Sequence, residues 1–408
     1  MPLSTGSKVR LYNIIKELRR CGHEVGLIAM IHRDELGHME AIRHWFSDLL
    51  LVPVRRPNEA SCLAQQPMGE LFRRALGVLA RGFNGLPLRL AMLYHPRIHD
   101  AIAELVPRYD YCFVEFFFMA QNLPMGFSYR FREKLVLVEH DISFIPQMRR
   151  YQVARGWRRL VLWFNYVRYR RAEIATLQRF VQVVVVSELD RDIVHRVAPG
   201  QRVTVVPNGV DLASLVFRDA VPCCGQPRLL FVGGLGHRPN LDGLSHFISE
   251  ALPILLHHFP GLTLTVVGDA AGAEPELIRL PRGDAVTFVG FVPDLNRYFA
   301  ESTALIAPLR IAGGTRLKIL EAMAAGVPVI TTAIGAEGLP VVHGEQVLFA
   351  ETPQETVQCV TRLVSDPELA QRMTRAARRL CEEKYDWRTI VGAMEQQLLE
   401  GGDQPSGL

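Results

Sequence analysis

Five apolar runs in the second half of the chain, LLFVGGL, LTLTVVGD, AVTFVGFV, STALIAPL and PVITT, are separated by stretches of helical periodicity such as LDGLSHFISEALPILLHH. Unbroken Val, Ile and Leu mark strands buried on both faces, and strands that alternate with helices mark a parallel sheet covered on both sides. The first half repeats the theme in EVGLIAMI, LLLVPV, YCFVEF, KLVLVEHD, VQVVVVSE and RVTVVPN. The fold class is therefore α/β, with two doubly wound Rossmann-like domains, each expected to hold ligand beyond the carboxyl ends of its strands. Residues 207–228, PNGVDLASLVFRDAVPCCGQPR, lack periodicity and divide the chain. The expected domains are 1–206 and 207–385, with residues 386–408 forming a helix that can return to the first domain. Residues 7–20 place Leu11, Ile14, Ile15 and Leu18 on one helical face, but only MPLSTG stands ahead of them. A parallel domain normally opens with a strand feeding such a helix, so the first domain is expected to lack one strand.

At 408 residues the chain exceeds one ordinary domain, and its 49% hydrophobic and 22% charged residues are those of a globular protein. The longest apolar stretches are too short to cross a bilayer and are interrupted by Glu115 and Glu139. The first 20 residues are basic and amphipathic, unlike a secretory signal. Seven cysteines without metal-ligand spacing suit a reducing cytoplasm and imply no metal site, and the adjacent Cys223 and Cys224 read as a loop. Lys and Arg outnumber Asp and Glu by 30 to 19 in residues 1–210 but number 16 against 23 in residues 211–408. The first half is thus expected to face something anionic. Its charge concentrates in residues 149–179, where Trp157, Trp163, Phe164 and Tyr166 are interleaved with arginines. That composition suits a membrane-surface helix, but the plainer and preferred reading is a long helix with a buried aromatic stripe and a solvated basic face.

The segment PLRIAGGTRLKILEAMAAGVPVITT (308–332) carries the most chemistry. Gly313 and Gly314 follow a buried strand and let main chain approach a ligand closely. Thr315 suits the N-cap of a helix running to Ala325, Gly326 suits the position after its end, and Pro328 blocks continuation. A glycine loop opening onto a helix start favours an anion. Arg316 and Lys318 in the first turn oppose the helix dipole unless an anion is bound, a local conflict of the kind that marks functional sites. Glu321 shares a face with Lys318 and stands roughly 9 Å along the axis from Thr315, an offset that suits a ribose beside a diphosphate. A surface ion pair between Lys318 and Glu321 is the plainer alternative.

GGTRLKILEAMAAGVPVITT resembles the donor-site segment of the family-4 retaining glycosyltransferases, which have the GT-B fold. VVVVSELDRDIVHRV followed by VTVVPNGVD resembles their interdomain signature, with Asn208, Gly209 and Asp211 in it, and LLFVGGLGHRPNLDGLSHF the opening of their nucleotide-binding domain. The resemblance runs over nearly the whole chain from Gly6. It implies transfer of a sugar from a nucleotide-diphosphate donor with retention of configuration, without a metal or other cofactor. By position, Glu321 would contact ribose, while the first glutamate of the Glu-x7-Glu motif is replaced by Gly313. Arg238 and Lys318 would grip the diphosphate, with Arg316, Gly313, Gly314 and Thr315 around them. Phe291 and Val292 would meet the nucleobase. His140, at the end of KLVLVEH, would face the transferred sugar, although a satisfied loop histidine has the same look. Glu115 would orient the acceptor, and Gly6 would line the first loop.

The implied partners are a nucleotide-sugar donor and a phosphorylated or lipid-linked glycan acceptor, with contact to anionic membrane at the inner face of the cytoplasmic membrane. The implied pathway is cell-surface polysaccharide or glycolipid synthesis in the cytoplasm. A non-catalytic relative that binds the donor or scaffolds is the competing expectation, favoured by Gly313 and the missing strand. No G-x-G-x-x-G with a distal acid supports a dinucleotide oxidoreductase, and no reader module supports nucleic-acid binding.

Overall fold

The computed structural model describes residues 6–54, 68–83, 85–219, 225–270, 283–311 and 317–400. Gly313, Gly314, Thr315 and Arg316, and likewise Cys223 and Cys224, lie outside the described residues. The chain divides into two compact units, residues 1–207 with 393–408, and residues 208–392. No described helix is long and apolar enough to cross a membrane.

The first unit runs α1 (Gly6–Arg20), β1 (Gly26–His32), α2 (Leu36–Glu40), β2 (Asp48–Val54), α3 (Met68–Phe83), α4 (Leu88–Ala91), α5 (Pro96–Leu105), β3 (Cys112–Glu115), α6 (Phe127–Arg130), β4 (Leu135–Val138), α7 (Phe144–Val153), α8 (Trp157–Leu177), β5 (Gln182–Val185), α9 (Glu188–Val197) and β6 (Arg202–Val205). Every pairing is parallel, as the apolar runs imply, but the strands fall into two groups, β1 with β2 and β3-β4-β5-β6. Among the described residues no strand pairs with the outer edge of β1 or of β3. Leu135 and Leu137 of β4 and Val183 and Val185 of β5 form the core with Leu177 of α8 and Val194 of α9.

That core contains two carboxyl groups. Glu139, just past β4, and Glu173, on α8, are 1% and 0% exposed. The backbone N–H groups of Ser143 and Phe144 donate to Glu173 at 2.7 and 2.8 Å. Burial nevertheless pushes the Glu173 carboxyl up to about 8, against the pull of those two donors. Burial, and then the charges of Glu173 and Asp141, hold Glu139 well above the usual carboxylate range.

The second unit runs β7 (Arg228–Val232), α10 (Arg238–His246), a π-helical turn at Phe247–Ala251, α11 (Leu252–His258), β8 (Thr263–Val267), β9 (Val286–Gly290), α12 (Asn296–Glu301), β10 (Ala304–Ala307), α13 (Leu317–Ala324), β11 (Val329–Thr331), β12 (Leu348–Phe349), α14 (Pro353–Ser365), α15 (Pro367–Lys384) and the start of α16 (Trp387–Glu400). Its six parallel strands are ordered β12-β11-β10-β7-β8-β9. Strand period two sends Leu229 and Phe231 to one face, against Leu244, Leu255 and Val360. It sends Leu230 to the other face, against Leu320 and Ala377. Both faces are covered, which is why these strands read as unbroken apolar runs.

The acid pair of the first unit generates a pH dependence. Glu173 titrates near 8 when folded and near 4.5 when unfolded, so the folded state holds the extra proton in between. The stabilisation is complete below about 4.5 and lost as pH rises through about 8. Melting temperature is expected to fall between pH 6 and 9, and Glu173→Gln to flatten that fall. An unchanged slope in the variant would show that Glu173 does not hold the proton.

Candidate functional site

In the second unit the chain order runs outward in both directions from the neighbours β7 and β10. This is the switch point of a doubly wound sheet, where the loops leaving two adjacent strands diverge and open a crevice at their carboxyl ends. The loop after β7 begins Gly233-Gly234. Its backbone is tied to the end of β8, with Gly233 N–H donating to the Val267 carbonyl at 2.8 Å and Leu235 N–H to that of Asp269 at 2.7 Å. A Cβ on Gly268 would stand 2.0 Å from the Gly233 carbonyl oxygen, an approach only glycine permits.

Asn240, the third residue of α10, links this loop to the helix that follows β10. Its Nδ2 donates to the Gly234 carbonyl at 2.9 Å, and its Oδ1 accepts from Lys318 Nζ at 2.7 Å. The Lys318 ammonium also lies 4.9 Å from the Phe231 ring centroid. A Cβ on Gly233 would lie 2.7 Å from both Lys318 Nζ and Asn240 Nδ2. Asn240 is a neutral amide, so it orients the ammonium without neutralising it.

The far end of α13 is fixed as the sequence implies. Gly326 takes φ +75°, Val327 N–H donates to the Ala322 carbonyl and Gly326 N–H to that of Met323, which is the Schellman arrangement. One turn inside it, Glu321 is pushed up to about 7 by burial, against the opposing pull of Lys318. Its carboxyl is therefore partly charged near neutrality.

The remaining described donor-site residues are Arg238, Phe291 and Val292, and the interdomain ones in this unit are Asn208, Gly209 and Asp211. Arg238 is exposed at the first position of α10, and Asn240, two residues on, bonds Lys318. Phe291 is 57% exposed just past β9, while Val292 packs into the core beneath α13. Asn208 is buried, and Val210 N–H donates to the Tyr385 carbonyl at 2.7 Å. A Cβ on Gly209 would strike Trp387 and Ile390 at 2.7 Å. Asp211 Oδ1 accepts from Ala213 N–H at 3.2 Å and so shapes a turn. Packing onto the Tyr385–Ile390 segment accounts for Gly209, and a turn for Asp211.

In the first unit, His140 and Glu115 meet at the carboxyl ends of β4 and β3. His140 Nε2–H donates to Glu115 Oε2 at 2.5 Å. The ring stacks on Phe116 with centroids 4.3 Å apart, and Phe118 stacks on the other side of Phe116 at 5.0 Å. Phe116 holds φ +70°, a conformation bulky residues avoid and strong surroundings must enforce. The His140 side chain is 6% exposed, with Nδ1 buried, whereas that of Glu115 is 28% exposed. Glu115 is therefore the end of the dyad that meets solvent, and His140 braces it, the reverse of the emphasis the sequence suggests. Gly6 opens α1; one turn on, buried Arg10 donates to the Pro207 carbonyl at 2.8 Å. Burial pulls the Arg10 guanidinium down to about 10 while the charge of Glu115 opposes that shift. Arg10, Phe116 and Asn240 are the participants that sequence reasoning overlooks. The aromatic run after β3 is the one signal for Phe116, and the helix-opening HRPN for Asn240.

A doubly wound sheet with a lysine and a glycine turn at its switch point has the crevice where open α/β sheets hold their ligands. Residues 4–214 match the family described as Glycosyltransferase Family 4, and residues 226–366 match Glycosyl transferases group 1. The chain belongs to glycosyltransferase family 4. It is 30% identical over 226 residues to glycogen synthase of Mycobacterium tuberculosis, covering 52% of each chain. It is 27% identical over 180 residues to the lipopolysaccharide core biosynthesis mannosyltransferase LpcC of Rhizobium leguminosarum, covering 41% of this chain and 51% of that one. The chain thus spans about half the length of these curated relatives. Among solved structures, Anabaena Alr3699/HepE in complex with UDP superposes with a TM-score of 0.64 at 17% identity, covering 95% of both chains, a likeness of GT-B fold.

The Gly233–Gly268 approach makes a sharp expectation. Gly268→Ala must push backbone against backbone and is expected to cost about 1–3 kcal/mol in urea unfolding. A wild-type midpoint would mean that the ends of β7 and β8 do not approach as described.

Proposed function

We propose that this protein transfers a sugar from a nucleotide-diphosphate donor to a glycan or lipid-linked acceptor with retained configuration, in cell-surface polysaccharide or glycolipid synthesis. The observation that carries the reading is Lys318 held by Asn240 at the switch point, beside Gly233 and Gly234. There the ammonium meets the diphosphate, aided by Arg238 and, by resemblance, by Arg316 and the Gly313-Gly314-Thr315 loop. Glu321 accepts from the ribose hydroxyls, and Phe291 offers its exposed ring to the base. The relatives named for glucan and lipopolysaccharide synthesis, and the UDP complex of the Anabaena protein, favour this class of donor and acceptor.

In the transfer, the bond from the anomeric carbon to the β-phosphate oxygen breaks and the electron pair leaves with the diphosphate. The acceptor hydroxyl oxygen bonds the same face of that carbon, and its proton passes to the departing phosphate oxygen. Side-chain cations and helix N–H groups, in place of a metal ion, stabilise the charge that develops. Glu115, braced by His140, orients the acceptor. A phosphorylated or lipid-linked acceptor fits the basic excess of residues 1–210, with the enzyme working from the cytoplasmic side of the inner membrane.

Lys318→Ala is expected to weaken UDP or GDP binding, whichever shifts the wild-type melting temperature, by about tenfold or more, the value of a charge-assisted hydrogen bond. Glu321→Gln is expected to weaken it as well, yet to raise stability at pH 8. Glu321 titrates near 7 folded and near 4.5 unfolded, so its stabilisation is full below about 4.5 and lost as pH rises through about 7. Neither variant losing nucleotide affinity would refute the site.

A further inference from the structure

We propose that α3, α4 and the first half of α8 form one face that docks on anionic phospholipid membrane. On α8, Trp157, Leu160, Val161 and Phe164 follow the spacing of one helical stripe, and all are exposed, Trp157 at 72% and Leu160 at 70%. The stripe is not the side that the core uses. Tyr166, on the opposite side of the helix, stacks on Tyr151 of α7 with centroids 6.1 Å apart. A second stripe on α3, Phe72, Leu76 and Leu79, is exposed at 66%, 52% and 55%.

Arg168 of α8 reaches the end of α3 and the loop that follows it. Arg168, two turns on from Val161 and on the same stripe, donates to the carbonyls of Gly85 and Leu86 at 3.3 and 2.7 Å. Those residues lead from α3 into α4, where Leu88 and Met92 are exposed in turn. Isolated surface hydrophobics are ordinary, but helical stripes of them on two helices linked by Arg168 mark an interaction surface.

The charge around this face selects the occupant. Between Ile142 and Ala172 the sequence holds eight arginines and not one Asp or Glu. Arg159 and Arg170 lie over Tyr151 and Phe144, and Arg168 bonds the loop after α3. A segment so rich in tryptophan, leucine, phenylalanine and arginine and free of acids nonetheless has the composition of a helix lying in a lipid interface, where indole rings settle at headgroup depth and guanidinium groups meet phosphate. A protein partner of matching acidity is the outcome the test must separate. The inference takes its purpose from the proposed lipid-linked acceptor, but it stands on surface and charge alone.

The test is co-sedimentation of the full chain with vesicles of phosphatidylcholine alone and with added phosphatidylglycerol, at low and high salt. Wild type is expected to pellet with the anionic vesicles and to be released by salt. Replacing Trp157, Leu160 and Phe164 together by Ser is expected to lower partitioning by roughly tenfold or more. Arg155→Glu with Arg158→Glu is expected to abolish the anionic preference. Phe72→Ser with Leu79→Ser supplies an independent variant should the first fail the circular-dichroism check for folding. Wild type that ignores vesicles, self-associates instead, or binds them no better than folded variants would overturn the inference. Nucleotide-induced thermal shift in the same samples keeps the two proposals apart. If that shift persists while vesicle binding is absent, the membrane face alone fails; if vesicles bind without it, the donor site alone fails.

Discussion

Lys318 Nζ, held by Asn240 Oδ1 at 2.7 Å, joins the two helices that start on either side of the switch point in the second unit. Much of the surrounding architecture serves that contact. Gly268 lets β8 close on the Gly233 turn, and Asn240 spans from that turn to the lysine. Arg218 donates to the carbonyls of Gly326, Ala300 and Ser302 and so ties the distal end of α13 to the end of α12. A mobile lysine would spend its rotamer entropy on binding each ligand, whereas this one is oriented beforehand. Burial that makes Glu321 reluctant to ionise acts on the next turn of the same helix, where Lys318 pulls the other way.

The first unit solves a different problem. It stacks polar groups beneath the ends of β3 and β4, where Glu115 and His140 form one layer and Glu139 and Glu173 a deeper one. Burial raises both carboxyls of the deeper pair, while the upper pair shares a hydrogen bond with Glu115 as its more exposed end. Phe116 covers the upper layer, its ring stacked on His140 while its backbone holds a positive φ. Strain in so bulky a residue is expected where geometry matters more than local stability.

Sheet composition was legible in the sequence because a strand buried on both faces must be apolar throughout. Every apolar run quoted from the sequence became a parallel strand, and the short β12 alone gave no such signal. Gly326 was legible because only a glycine readily ends a helix at positive φ. Asn240 was not, because its role depends on a lysine 78 residues away, and no local period reports such a partner. His140 was found, but its burial was not, since a histidine at a strand end looks the same whether it faces solvent or a stacked phenylalanine. The aromatic and basic run of α8 was open to two readings. Exposure of Trp157 and Leu160 decides against a wholly buried stripe.

The most direct measurement is a crystal structure of the protein with a bound nucleoside diphosphate. The account requires the β-phosphate oxygens within about 3 Å of Lys318 Nζ, the distance of a charge-assisted hydrogen bond, and the ribose beside Glu321. A diphosphate seated elsewhere, with Lys318 still turned to Asn240 and away from it, would contradict the account.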